Sequence, residues 1–193
     1  MTAQPLFDEL YDKYKDAVFS YSCYLTQNLE EAEDLFQDAW VRVVKHLAEE
    51  VNMKSAKAWI FTIVTNLYRD ELRRKRVRRL LFFQKAETPD LEQAKLSAFS
   101  GVSVSDPAAI TDQAQIRKEI TGAMTRLPER QRRVFVLKEI AGFQQAEISQ
   151  IMRIPVGTVK SLLYRAVKRL QRELSSYNPK GERAKCDAKI LSF

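Results

Sequence analysis

Five side chains near the end of the sequence have the types and spacing to read a nucleic acid duplex. In GFQQAEISQIMRIPVGTVKSLLYRA (142–166), Lys160, Ser161, Tyr164 and Arg165, with Lys168 one step beyond, fall on one side of a helix beginning after Pro155. Lysine and arginine donate to guanine edges or neutralise phosphates, serine can do either, and an aromatic ring meets thymine methyl groups. Val159, Leu163, Ala166, Val167, Leu170 and Leu174 form the opposite, apolar stripe of that helix, which the periodicity extends to about Ser175. The first half of the segment reads as a shorter helix with Ala146, Ile148 and Ile151 facing inward, then a turn. Two helices joined by a tight turn, the second cationic on its free side, make a helix-turn-helix.

Two further constellations lie upstream. On a helix predicted from a Ser55 cap to Arg79, Trp59, Thr62, Thr65, Asn66, Arg69 and Arg73 share a side away from Ala56, Ile60, Ile63, Val64 and Leu67. Ring, amide, hydroxyl and guanidinium groups together suit an unstacked base, which needs stacking, edge hydrogen bonds and phosphate anchoring. For Trp59, core packing and base contact are both open readings. The run RDELRRKRVRR (69–79) is net +5 and can hold a phosphate backbone electrostatically. On the preceding helix, Asp34, Gln37, Asp38 and Val41 form an acidic and amide strip that DNA would repel and a basic protein surface would accept.

The elements that must position these groups are helical. Leu10, Tyr14, Ala17, Val18, Tyr21 and Leu25 mark a first helix over about 6–25. Asn28 caps a second to about Leu47, with Glu30, Glu31 and Glu33 in its first turn and Ala32, Leu35, Phe36, Ala39, Val43 and Leu47 as its stripe. With the third helix these make one compact unit over residues 5–80. Periodicity fades over 81–113, where Pro, Ser and Gly accumulate and the net charge is −3, so this stretch reads as a linker. Helical patterning returns at Gln115–Leu127 (Ile116, Ile120, Ala123, Met124, Leu127), and Pro128 opens the next helix to about Ala141. A second small helical domain spans 114–177, and 178–193 reads as a mobile tail. The fold class is all-α: two small domains, a flexible linker between them.

Charge and cysteine usage narrow the function. The chain carries +7 over 193 residues, but residues 1–50 hold 11 acids against 4 bases, leaving 28 bases against 14 acids downstream. Segregation of this kind points to a polyanion for the later part and another role for the acidic start. Two distant cysteines and one histidine supply neither a disulfide framework nor a metal cluster, and Cys23 sits in an apolar stretch as packing. No cofactor, metal or catalytic residue is expected, because the carboxylates lie along helix surfaces and do not converge. MTAQPLFDEL has no basic n-region or apolar h-region, and no apolar run approaches the ~20 residues of a bilayer span, so a cytoplasmic protein is expected.

The chain resembles the extracytoplasmic-function (ECF) sigma factors of bacterial RNA polymerase over about residues 5–177. The resemblance is carried by AEDLFQDAW (32–40), AWIFTIVTNLYRDELRR (58–74), LPERQRRVFVLKEIAGF (127–143) and EISQIMRIPVGTVKSLLYRA (147–166). It implies an amino-terminal region 2 domain that binds the β′ clamp helices of core polymerase through Asp34, Gln37 and Asp38. That domain would also open the −10 element through Trp59, Thr62, Asn66, Arg69 and Arg73, with Asn66 matching the family's base-reading asparagine and Glu49–Ser55 lining a flipped-base pocket. It implies a region 4 domain seated in the −35 major groove through Lys160, Ser161, Tyr164 and Arg165 and touching the β flap. It also implies a linker threading toward the active-site channel, and control by an anti-sigma factor. Three departures stand out: Gln144 and Gln145 replace a common Ser-Tyr, Arg153 stands where the turn often has glycine, and Leu162 where arginine is frequent. An autonomous helix-turn-helix regulator is the rival reading. It leaves the Asn66 side and the acidic strip unexplained.

Overall fold

The computed structural model describes residues 3–47, 55–83 and 119–175, all of them in helices and short connections. Helices α1 (Ala3–Thr26), α2 (Leu29–His46) and α3 (Ala56–Phe83) form one packed unit. A helix over 119–125 (α4), α5 (Glu129–Phe135), α6 (Gln145–Met152) and α7 (Val156–Glu173) form the second. The third helix runs four residues beyond its expected end. The linker and tail calls, apart from the end of α3, lie outside the described residues, as does the Glu49–Lys54 loop.

Local chemistry explains the helix starts. Asn28 is extended, and its side chain accepts from the Glu31 amide, satisfying a donor the first turn of α2 leaves open. Glu30 and Glu31 then face the positive end of the helix dipole. At α6 the Gln144 amide donates to Glu147 Oε2 at 2.7 Å, so the two glutamines at the departure from the family pattern begin a capped helix.

The cores follow the stripes with exceptions. Leu10, Val18, Tyr21, Leu25, Ala32, Leu35, Ala39, Val43, Ile60, Phe61 and Val64 are buried in the first unit. An aromatic group ties α1 to α2: Trp40 meets Tyr11 at 4.9 Å and Phe7 at 5.8 Å, and Phe19 meets Phe36 edge-on at 5.5 Å. Cys23 is buried in the same core, and burial pushes its thiol up to about 11. In the second unit Val134, Val136, Leu137, Ile148, Ile151, Val159, Leu163 and Ala166 are sealed from solvent. Ala146, expected inward, is exposed: it lies on the outer side of the capped first turn of α6. Ile120 is likewise 42% exposed.

Two features lie outside the stripes. The α5 helix widens into a π-helical turn over Val136–Ile140, closed by the Ala141 amide on the Val136 carbonyl. Gly142 follows at φ +74, the left-handed conformation that folds Phe143 back into the core. The second feature is the turn of the helix-turn-helix, where Arg153 takes the conformation that favours glycine. Arg153 takes the left-handed conformation (φ 54, ψ 51), Ile154 donates to the Ser149 carbonyl, and Ser149 Oγ donates to the Ile154 carbonyl at 2.6 Å. The non-glycine residue costs roughly 1–2 kcal/mol there.

Arg153→Gly should therefore be neutral or stabilising by up to about 1 kcal/mol, the relief being offset by glycine's unfolded-state entropy. Arg153→Val, β-branched at positive φ, should be clearly destabilising. Thermal unfolding of the two variants checks this, and the opposite order would refute the strained turn.

Candidate nucleic-acid and protein interfaces

The helix-turn-helix presents its reading side as the periodicity requires. Burial of Val159, Leu163, Ala166 and Leu170 turns Lys160, Ser161, Tyr164 and Arg165 outward, all exposed, with Lys168 half-buried beside them. The Lys168 ammonium sits 5.7 Å from the Tyr164 ring centroid, a contact worth about 0.5–1 kcal/mol that orders two neighbouring groups. Ser161 Oγ donates to the Thr158 carbonyl at 3.0 Å and keeps its lone pairs for an outside donor. Leu162 packs half-buried against the core, so its substitution for arginine adds to the hydrophobic edge of the domain.

On α3 the expected reading side is divided. Trp59, Thr62, Asn66 and Arg69 are half-buried along one stripe and Arg73 is exposed at its end. Trp59 packs against the core with part of its surface left open. Thr65 does not belong to this stripe. It is 2% exposed, and its hydroxyl shares a 2.9 Å hydrogen bond with buried Tyr21. A threonine one step from Asn66 on a helix is rotated by 100° toward the core, and the Tyr21 hydroxyl supplies the partner its burial demands. Thr62 Oγ1 donates to the Ala58 carbonyl at 2.7 Å. Asn66 Oδ1 and Arg69 Nε are closed to solvent without a hydrogen-bond partner.

Beyond Arg69 the helix is a cationic rod. Arg73, Arg74, Arg76, Arg78 and Arg79 are exposed, and only long surface pairs at 3.5–4.0 Å engage Arg73, Arg74 and Arg78 with Asp70 and Glu71. Such pairs contribute about 0–1 kcal/mol and yield readily to a phosphate. Lys75 differs: its 2.7 Å bridge to Glu31 fastens α3 to the start of α2.

The acidic strip on α2 is open. Asp34, Gln37, Asp38 and Val41 are all exposed, and no ion pair with another described residue involves either aspartate. Val41 and Val44, each about half exposed (51% and 53%), border the carboxylates with apolar surface. Negative charge beside aliphatic area fits a basic protein helix and repels nucleic acid.

The sequence reading missed two arginines. Arg132 and Arg133 on α5 are 7% and 6% exposed, and the sequence analysis gave them no role. Arg132 bonds to the carbonyls of Thr125, Leu127 and Leu25, and burial lowers its pKa from the ordinary arginine value. Arg133 holds Glu129 at 2.8 Å and approaches the Tyr68 ring at 6.0 Å. A stripe count cannot reveal this, because the carbonyls that receive Arg132 come from the ends of α1 and α4.

Comparison with known proteins gives one family. The Sigma-70 region 2 family model matches residues 10–78, and the Sigma-70 region 4 family model matches residues 117–170. The ECF RNA polymerase sigma factor SigW of Bacillus subtilis is 31% identical over 172 residues, covering 89% of this chain and 90% of that protein. SigM of the same organism is 29% identical, covering 85% and 92%. Among solved structures, the sigma factor RpoE of Bartonella quintana in complex with the anti-sigma factor NepR superposes with a TM-score of 0.63 at 25% identity, covering 88% of this chain and 96% of that one. CnrH in complex with the cytosolic domain of CnrY shares the fold, at a TM-score of 0.58 and 18% identity over 90% of each chain.

Proposed function

The chain belongs to the ECF sigma factors of bacterial RNA polymerase, and we propose on that premise that it assigns its three surfaces to three partners. It joins core polymerase, brings it to promoter DNA and starts transcription. The observation that supports the assignment of surfaces best is their separation by charge: acids on α2, cations on the end of α3 and on α7.

In this reading Asp34, Gln37 and Asp38, bordered by Val41, hold the β′ clamp helices of the polymerase. Trp59, Thr62 and Asn66 take an unstacked base of the −10 element, with Arg69, Arg73 and the arginines that follow on its phosphates. Lys160, Ser161, Tyr164, Arg165 and Lys168 enter the −35 major groove, and the region 4 domain meets the β flap. Residues 81–113 connect the domains, and 178–193 follow the second. The chain performs no catalysis of its own; the polymerase does the chemistry. It works in the cytoplasm, and no described helix is long and apolar enough to cross a membrane. An anti-sigma factor holds it inactive, a reading supported by the complex of its structural neighbour RpoE with NepR. An autonomous helix-turn-helix regulator would leave the match over residues 10–78 without a purpose.

Three substitutions separate the surfaces. Asn66→Ala should reduce promoter opening about tenfold or more and leave duplex binding nearly unchanged, as permanganate footprinting against filter binding can show; equal loss in both would remove the base-reading role. Arg165→Ala should weaken binding to a −35 duplex by roughly 1–3 kcal/mol, and an unaltered affinity would take it out of the reading set. Reversing Asp34 and Asp38 together to lysine should weaken association with core polymerase at least about tenfold without affecting −35 duplex binding, since it sets like charge against a basic surface. A pull-down with undiminished recovery would sink that contact.

A further inference from the structure

We propose that an exposed apolar strip at the end of α3, made of Val77, Leu80 and Leu81, reads thymine methyl groups in the duplex that borders the opened −10 element. The inference rests on the reading of α3 as the base reader. Val77 is 50% exposed, and Leu80 and Leu81 are each 63% exposed, more than any other large hydrophobic among the described residues. Their direction is the informative part. At 100° per residue, Arg73, Val77, Leu80 and Leu81 all lie within about 60° of Asn66. Buried Ile60, Phe61 and Val64 point more than about 100° away from it. That inner side continues through Tyr68 and Leu72 to Lys75, whose ammonium bridges Glu31 of α2 at 2.7 Å. Beyond Arg73 the usual order of a surface helix is therefore reversed: aliphatic groups face out and a lysine faces in. Arg74 and Arg76, both exposed, flank the strip on its two sides.

An aliphatic strip between arginines, continuous with a base-reading stripe, fits the edge of a DNA groove. The helix rises ~1.5 Å per residue, so Leu80 lies roughly 21 Å beyond Asn66, about six steps of ~3.4 Å along a duplex strand. An opened segment is bounded by paired DNA, and the major groove, ~12 Å wide, admits a helix. Arg74 and Arg76 take phosphates on the two edges of that groove, which positions the helix without choosing a sequence. The thymine C5 methyl is the apolar group that base edges present there, so the aliphatic strip adds the choice of base. An anionic bilayer also accepts arginines and leucines. It is the weaker occupant because the strip shares its side of the helix with Asn66 and Arg73, and a single DNA molecule engages all of them together.

The test uses the chain assembled with core polymerase and a promoter it transcribes, with thymine placed in turn at each of the about six pairs on either side of the −10 element. Replacing that thymine by uracil removes the methyl group and keeps the pairing edge. At one or two positions on one side, the wild type should lose about three- to fourfold in affinity per methyl, read by competition binding. Val77→Ala, Leu80→Ala and Leu81→Ala combined should bind the thymine and uracil promoters equally, with −35 duplex affinity unchanged. All three residues are exposed, so the variant keeps its core. No methyl effect at any position in the wild type overturns the proposal, as does an effect that survives in the triple variant. Binding to phosphatidylglycerol vesicles that the variant loses, with no methyl effect on DNA, gives the strip to lipid instead. Asn66→Ala on the same promoters separates the two readings. An opening defect without a methyl effect overturns this proposal alone, and the absence of both overturns the base-reading role of α3 as well.

Discussion

The rotation of α3 about its own axis is the constraint on which the rest of the molecule depends. A helix offers each neighbouring residue a direction 100° from the last, so fixing one side chain fixes all the others. Here the fixing contact is the buried hydrogen bond between Tyr21 and Thr65, backed by the Tyr21 ring 5.1 Å from Phe61. With Thr65 turned inward, Asn66 and Arg69 must lie along the flank and Arg73 at the surface. A rotation by one residue that gave Asn66 the direction of Thr65 would bury the asparagine. Losing the Tyr21 hydroxyl would leave the threonine hydroxyl unpaired in an apolar core, at a cost of about 1–3 kcal/mol. The interior and the reading stripe are thus two consequences of one contact.

Charge placement follows the same economy of surface. The sides of α2 and α7 left free by core packing carry opposite signs, and the Lys75 bridge to Glu31 joins the acidic α2 to the cationic α3. Separated by sign, the surfaces cannot neutralise one another within the chain, so each stays available to a partner of the opposite charge. At physiological ionic strength the screening length is about 8 Å, so each surface is sensed mainly at close range.

Much of this was legible in the sequence, and what was legible has a common cause. Helix stripes such as Val159, Leu163, Ala166 and Leu170 repeat every three or four residues because the helix does, and Asn28 announces a start because an amide oxygen is what the first turn lacks. The Asp34 strip and the Lys160 side followed as the remainders of their stripes. The failures involve partners distant along the chain. Thr65 was placed outside because its inward partner, Tyr21, lies 44 residues away. Arg132 and Arg133 went unnoticed because their carbonyl and aromatic acceptors come from α1, α4 and α3. Arg153 was recognised as an anomaly, but only the closed turn reveals that the arginine itself takes the left-handed conformation. Ala146 shows the opposite error: a small apolar residue carries too little area to decide which way it faces.

The burial of two adjacent guanidinium groups between domains is the least economical feature of the fold, and its energetics bear on how the domains can be related. Desolvating a guanidinium costs several kcal/mol, and attraction to carbonyls and one carboxylate compensates only with good geometry. Arg132 has three carbonyl acceptors yet leaves Nε unsatisfied; Arg133 has Glu129 but also leaves Nε unsatisfied. Leucines of similar volume would have sealed the seam more tightly, and domains so joined would separate only with the cost of exposing a core. Polar groups behave differently, because water repays most of what separation takes from them. A seam that sets carbonyl acceptors, arginines and one lysine around the buried Phe61–Phe143 contact therefore separates at a smaller cost than a wholly apolar one would.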